Sequence, residues 1–302
     1  MLLKGWRRST RQQYNVYLKK WIQFCNERRI TPLRRDKILV LKFLQKLFKS
    51  NLSYSSLNTC RSALSAVFDK PPIGDTPLIS RFMRAVYNQR PNLPKYHDTW
   101  QVSTVLEYLR SLSPVKFLSL QQLSLKLATL LALVTGSRVQ SIHAMNLDFC
   151  EYRDDSIVFH IQSLLKHSRP SNKVSNCITI SAYSKDKKIC PVFLLKYYIK
   201  RTAALRQNNQ LFINNSKPHK PISKDTLSRW IKKGINKAGI NTAKYSSHST
   251  RSASTSAAAA ASVDITTIMK AAKWSSSCTF SKHYNKPIAD HSFGTAILQS
   301  LQ

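Results

Sequence analysis

Four stretches of the sequence hold side chains whose types could do chemistry together. They are Arg138 in Thr135-Gly136-Ser137-Arg138, the pair His248 and Arg251 in His248-Ser249-Thr250-Arg251, Trp274, and Tyr284 in Phe280-Ser281-Lys282-His283-Tyr284. Planar guanidinium groups bind oxyanions two-handed, and an imidazole moves protons near neutral pH. A phenol oxygen becomes a nucleophile once a base or surrounding positive charge offsets its pKa of ~10. An indole N–H donates a hydrogen bond but cannot act as a base. Each residue also has an ordinary account. Arg138, just past a helix terminus, reads as a surface arginine, and His248 with Arg251, three apart on one helical face, as a solvated pair. Trp274 reads as core and Tyr284 as a packed aromatic.

Composition narrows the substrate. The 302 residues hold 48 Lys+Arg against 14 Asp+Glu, a net charge of +34 at pH 7. Folding does not require such a charge and is opposed by its self-repulsion, so a polyanionic partner is the natural explanation. Both halves of the chain are basic, as expected where a duplex is touched from two sides; a membrane binder more often carries one polybasic tail. No apolar run reaches the ~18 residues of a membrane span, the longest lying around Leu127 to Val134. The first ten residues lack an apolar core segment, so no secretory signal is expected. Six cysteines lie scattered without a CxxC pair, which suggests a reducing compartment and buried thiols. Six glycines and the lack of GxGxxG or GxxxxGK[ST] argue against a dinucleotide or P-loop fold.

The elements that must position these residues follow from periodicity. Helical stripes run through Tyr14, Tyr17, Leu18, Trp21 and Ile22; Val40, Leu41, Leu44, Leu47 and Phe48; Leu57, Leu64, Val67 and Phe68; and Ile79, Phe82, Met83, Val86 and Tyr87. Arg90-Pro91-Asn92-Leu93-Pro94-Lys95 is the best linker, so the domains are expected at 1–92 and 93–302. Beyond it a helix is expected over Val102 to Leu112, then a buried one from Leu120 to Val134 with Gly136 as its left-handed cap. Strands are expected at Ser156 to Ile161 and Asn176 to Ile180. Further helices span Val192 to Leu205, a Ser223-capped stretch stopped by Gly239, the alanine run from about Ser247, and a segment capped by Asp264. The acidic set Asp148, Glu151, Asp154 and Asp155 reads as a polar turn before a strand. A last amphipathic helix is expected within Pro287 to Gln302.

Taken in order, Thr135-Gly136-x-Arg138, a basic hairpin, His248-x-x-Arg251, Trp274 and a closing Tyr284 resemble the tyrosine recombinase (phage integrase) family, over nearly the whole chain. Arg138-Val139-Gln140-Ser141-Ile142, Leu165-Lys166-His167-Ser168-Arg169-Pro170 and Trp274-Ser275-Ser276-Ser277-Cys278 look like recombinases of eukaryotic mobile elements, the DIRS-type retrotransposons and Cryptons, more than bacterial Xer enzymes. The resemblance implies a mainly α fold with a small β-sheet. It would be a two-domain clamp, a helical SAM-like core-binding domain followed by a mixed α/β catalytic domain. It implies DNA cleavage and rejoining through a 3′-phosphotyrosine, in DNA integration or recombination of a mobile element, without ATP, metal or other cofactor. The partners it implies are double-stranded DNA and further copies of the chain, a homo-tetramer on DNA with the last helix packed on a neighbour. No membrane enters. The location is nuclear for a eukaryotic host, otherwise cytoplasm or nucleoid.

By the same resemblance Tyr284 is the nucleophile, Arg138 and Arg251 clamp the non-bridging oxygens, His248 transfers a proton near the phenol, and Trp274 donates to the phosphate. The general acid is a hairpin lysine, Lys166, with Lys173 across the turn as its rival. Two departures stand out. Ser141 occupies a position where many members carry an acid, which leaves the bracing of Arg138 in question. The step of ten from Trp274 to Tyr284 is one longer than in bacterial members, which suggests a bulged loop and leaves His283 as another proton-handling group. Three other readings compete: a catalytically silent DNA-binding protein derived from a recombinase, a type IB topoisomerase, and a metal-dependent nuclease, for which the acidic set is the one available cluster.

Overall fold

The computed structural model describes residues 5–68, 71–163, 177–274 and 276–288, with the backbone alone at Lys282 and His283. Lys166, Lys173, the helix expected beyond Pro287 and the side chain of His283 therefore lie outside the described residues. The chain divides into two compact units, Met1–Pro94 and Lys95–Gln302.

Among the described residues, four α-helices build the first unit: α1 (Arg8–Asn26), α2 (Lys37–Lys49), α3 (Tyr54–Ser65) and α4 (Pro77–Gln89). Local chemistry sets their starts. The Asp36 carboxylate accepts from the N–H groups of Ile38 (2.8 Å) and Leu39 (3.1 Å), Ser53 caps α3, and Pro77 opens α4 where its missing N–H would be unpaired anyway. Trp21, Phe24, Phe43, Leu44, Leu57, Leu64 and Ile79 form the core. Ile22, Val67 and Tyr87, at the edges of their stripes, are instead exposed, because an apolar face about 100° wide closes over a core narrower than itself.

The second unit is organised around α6 (Leu120–Thr135), in which every residue from Leu123 to Leu133 is buried. Ser119 and Gln122 close a reciprocal capping box at its start, worth about 1 kcal/mol. Gly136 ends it at φ 54°, a conformation that glycine adopts without a Cβ penalty. Around α6 lie α5 (Val102–Ser111), α8 (Pro191–Thr202), α9 (Lys224–Lys237) and α10 (Ser249–Ala260), with the short α7 (Val139–His143) following the Gly136 turn and α11 (Ile265–Ala272) and α12 (Ser277–His283) completing the unit. Ser223 and Asp264 cap α9 and α11 as expected. At the α6–α9 crossing, Gly234 lies so close to Thr129 that a Cβ would meet its Cβ and Cγ2 at 3.1 and 3.2 Å and its Oγ1 closer still.

The sheet is antiparallel, in the order β1 (Cys150–Tyr152), β2 (Ser156–His160), β3 (Cys177–Ser181). Ile157 pairs with Ile180, Val158 with Thr179 and Glu151 with Val158. β2 and β3 match the expected strands. β1 does not, since the acidic stretch taken for a turn holds a strand. Glu151 there is an edge-strand carboxylate, bonded by Arg153 (2.8 Å) with His160 at 3.4 Å. Among the described residues no cluster of His, Cys, Asp and Glu could hold a metal. All six cysteines are free; Cys25, Cys60 and Cys190 are buried, with burial pushing the Cys60 thiol up to about 12. Cys278 is exposed, against the expectation of buried thiols, because its short helix packs through Phe280 instead.

Candidate active site

Four chain ends converge on one spot in the second unit: the Gly136 turn, the start of α10, the end of α11 and the end of α12. The left-handed turn at Gly136 brings Arg138 to the cap of α7. His248 caps α10, and Arg251 lies three residues into it. Trp274 follows α11 after the Lys273 cap, and Tyr284 follows α12. Within the step between them α12 occupies Ser277–His283, and the N–H groups of Tyr284 and Asn285 both donate to the Phe280 carbonyl at 2.8 Å.

Arg251 is the centre. It is 2% exposed, and no carboxylate faces it among the described residues. Its Nη1 donates to the Gly136 carbonyl at 2.6 Å and its Nη2 to the Ala272 carbonyl. Those are oxygens at the C-terminal ends of α6 and α11, where aligned peptide dipoles concentrate about half a negative charge. Trp274 lies 4.5 Å and Tyr284 5.4 Å from the guanidinium carbon, ring faces toward it. Burial, reinforced by the neighbouring Arg138 and partly offset by Tyr284, pulls the Arg251 pKa down to about 10. The group is still a cation at pH 7.

The other residues gather on this cation. His248 Nε2 lies 3.2 Å from the Tyr284 hydroxyl. The Trp274 and Tyr284 rings lie 4.4 Å apart at 36°, and Phe280 lies 5.6 Å from Trp274. Arg138 is half-buried and close enough to Arg251 to repel it electrostatically. Of the residues singled out in the sequence, Arg138, His248, Arg251, Trp274 and Tyr284 thus come together. Ser141 is buried and tied to Arg138 through the backbone, its N–H on the Arg138 carbonyl at 2.8 Å.

Several buried donors near this spot find no acceptor among the described residues, including Arg251 Nε, Trp274 Nε1 and Lys273 Nζ. A buried unsatisfied donor costs about 1–3 kcal/mol, and more when charged, so they suit a site built to receive an anion. Lys273 escaped the sequence reading. It occupies the left-handed position after α11 (φ 53°, ψ 52°), where glycine is favoured, and burial lowers its pKa. A lysine in a glycine position was the available signal.

A phenol, an imidazole and two guanidinium groups thus meet at converging helix ends. Residues 99–291 match the phage integrase family, and residues 1–70 match the phage integrase N-terminal SAM-like domain. The chain belongs to the phage integrase family; it is a tyrosine recombinase, an enzyme of site-specific DNA recombination. Its fold is similar to that of XerH site-specific recombinase in a post-cleavage complex with a palindromic difH substrate (13% identity, TM-score 0.63, over 96% of this chain and 78% of that one). It is also similar to Tn1549 transposon integrase in complex with transposon right end DNA (15%, 0.56, 88% and 84%) and to a λ integrase tetramer bound to a Holliday junction (15%, 0.54, 96% and 74%). At such identities the likeness is one of fold. A comparison with curated protein sequences found no match.

Proposed function

We propose that Tyr284 is the nucleophile, and that Arg138, His248, Arg251 and Trp274 form its catalytic surroundings. The observation that carries this reading is the 3.2 Å approach of the Tyr284 hydroxyl to His248 Nε2 beside the buried Arg251 cation. The Tyr284 oxygen attacks the scissile phosphorus and gives its proton to His248. The bond from phosphorus to the 5′ oxygen breaks, leaving a 3′-phosphotyrosine. The departing oxygen takes a proton from the hairpin lysine, Lys166 or its rival Lys173, and becomes a free 5′-hydroxyl. Attack by another 5′-hydroxyl reverses the steps and joins new strands. Arg138 and Arg251 stabilise charge on the non-bridging oxygens, where two planar forks match the trigonal array of the transition state. Trp274 Nε1 donates to one of those oxygens.

The partner is duplex DNA, and the working assembly is a homo-tetramer on it, in line with the λ integrase tetramer among the structural neighbours. The sequence texture around Arg138 and Trp274 supports a recombinase of a eukaryotic mobile element, acting in the nucleus. A nicked suicide duplex that traps the covalent adduct tests the core of this reading. Tyr284→Phe abolishes the adduct and keeps duplex affinity within about threefold, since only the attacking oxygen is lost. Undiminished adduct in that variant, or a trapped nucleotide mapping to another tyrosine, refutes it.

A further inference from the structure

Helix α10 presents two neighbouring faces. His248, Arg251 and Thr255 lie along the one that faces the active site. Ser249, Ser252 and Ser256, spaced three and four apart, lie along the other. Serine is a middling helix former, and inside a helix its hydroxyl usually turns back to the carbonyl one turn earlier. Ser254 and Thr255 do this, donating to Thr250 and Arg251 at 2.8 Å. The serines of the second face also reach other segments, Ser249 while its own hydroxyl donates back to the Ser246 carbonyl at 2.7 Å. Ser249 Oγ accepts from Trp100 Nε1 at 3.0 Å, and Ser252 hydrogen-bonds the side chain of Tyr96. Ser256 Oγ donates to the Tyr284 carbonyl at 2.8 Å and accepts from the Lys286 N–H at 3.0 Å.

These bonds gather two remote segments on one helix face. Residues 96–100 precede α5, and residues 284–288 begin at the nucleophile. The segments are also tied to each other. The Thr99 N–H donates to the Pro287 carbonyl at 2.8 Å, with Thr99 and Ile288 in a parallel bridge. Lys286 Nζ donates to the Tyr96 carbonyl and lies 4.1 Å from the centre of the Tyr96 ring. Tyr284 is thus fixed by its hydroxyl on one side and its own carbonyl on the other. The second restraint is the more telling, since no peptide carbonyl of that segment takes part in the reaction.

We infer that Ser256 and Lys286 form a latch that positions the Tyr284 nucleophile, locking the segment behind it to α10 and to the 96–100 segment. The inference rests on the reading of Tyr284 as nucleophile. Without the latch Tyr284 keeps its oxygen and its chemistry but samples positions away from in-line attack, and displacement by about 1 Å can cost a hundredfold in rate. Ser256 and Lys286 are positioning residues and touch no reacting atom.

Single-turnover cleavage of the nicked suicide duplex by the full chain tests the latch. Ser256→Ala and Lys286→Ala are each expected to slow adduct formation about 10- to 50-fold, with duplex affinity within about threefold of wild type. Ser256→Thr, which keeps the hydroxyl, restores most of the rate. The double variant Ser256→Ala/Lys286→Ala is slowed little more than the worse single one, because the two act as one device. A substrate with sulfur in place of the 5′ bridging oxygen relieves the need for a general acid; the defect persists on it, because attack and not departure is impaired. Lys286→Ala is half-exposed and guards against a folding failure at the buried Ser256. Rates within threefold of wild type in both single variants, rescue by the sulfur substrate, or a loss traced to duplex affinity overturns the latch. Tyr284→Phe is run beside them. If it still forms adduct, the reading of Tyr284 has failed; if it is inactive while the latch variants cleave normally, the latch alone has failed.

Discussion

Arg138 and Arg251 have one role in the proposed mechanism but are held differently, so alanine at the two positions has different consequences. Arg251 is buried, donates to the carbonyls of Gly136 and Ala272, and faces the Trp274 ring. Hydrogen bonds from a charged donor contribute about 1.5–3 kcal/mol each, and a desolvated cation–π contact about 2 kcal/mol. Against these stands the cost of burying the charge. The fall of its pKa from 12.5 to about 10 corresponds to about 3 kcal/mol. Before the void left by truncation is counted, Arg251→Ala is expected to destabilise the fold by about 2–5 kcal/mol, or a thermal midpoint lower by about 5–20 °C. The Arg138 side chain makes no hydrogen bond among the described residues, and its nearness adds to the fall of the Arg251 pKa. Its removal therefore relieves repulsion, and Arg138→Ala leaves the midpoint unchanged or slightly higher.

Cleavage behaves otherwise. Each variant is expected to lose about 10²–10⁴ in single-turnover rate, or 3–5 kcal/mol of transition-state stabilisation. Thermal unfolding paired with adduct formation on the suicide duplex reads both quantities from the same preparations. Equal destabilisation by the two variants, or a stable Arg251→Ala protein, would refute the account of how Arg251 is held. A rate loss below about tenfold at both would remove the clamp itself.

Other perturbations probe single features. Trp274→Phe keeps a ring over Arg251 and against Tyr284 but removes Nε1, so cleavage should fall about a hundredfold with little change in melting, and Trp274→His, restoring a ring N–H, should regain part of it. Gly234→Ala gains about 1 kcal/mol of helix propensity but drives a methyl into Thr129; a net loss of about 1–2 kcal/mol by chemical denaturation, relieved by adding Thr129→Ala, is expected. Lys126, fully buried with its ammonium on the Leu112 carbonyl at 2.7 Å, has its pKa lowered to about 8 by burial. Unfolded, it holds its proton up to about 10.5, so between these values the unfolded chain binds more protons and stability climbs with pH. The stability of wild type relative to Lys126→Met should therefore rise by about 3 kcal/mol from pH 8 to 10.5, and a flat difference would count against the buried charge.

Much of the scaffold was legible because its signals are local. Ser119, Gln122 and Gly136 delimit α6 by backbone chemistry that needs no tertiary partner, and Ser223 and Asp264 do the same for α9 and α11. β2 announces itself through Ile157, Val158 and Phe159. β1 could not, since its three residues are mostly exposed and only the pairing offered by β2 makes them a strand. The residues of the site were legible as a set in chain order, yet their restraints were not. Arg251 is held by two peptide carbonyls and Tyr284 by a hydroxyl on its own carbonyl. Partners of that kind leave no trace in side-chain identity, which is why Ser256 and Lys286 went unremarked.

The choice of carbonyls over carboxylates around Arg251 has a physical consequence. A buried guanidinium is ordinarily neutralised by an ion pair, and truncating either partner then strands a charge. An aspartate at the Gly136 turn would hold Arg251 as firmly, but it would cancel the positive potential that has to attract and then stabilise a phosphate. The C-terminal ends of α6 and α11 offer only partial negative charge, enough to keep a 2%-exposed cation folded in place while leaving the site net positive. Ser141 fits the same logic. It follows Arg138 by one turn without adding an acid, so that both guanidinium groups repel each other, and a dianionic, pentacoordinate phosphorus centre is the partner that relieves that repulsion most fully. The Arg251 pKa is held down first by burial and then by Arg138. It should relax upward when an oxyanion occupies the site, and the nearness of Arg138 makes the binding of that anion cooperative between the two arginines.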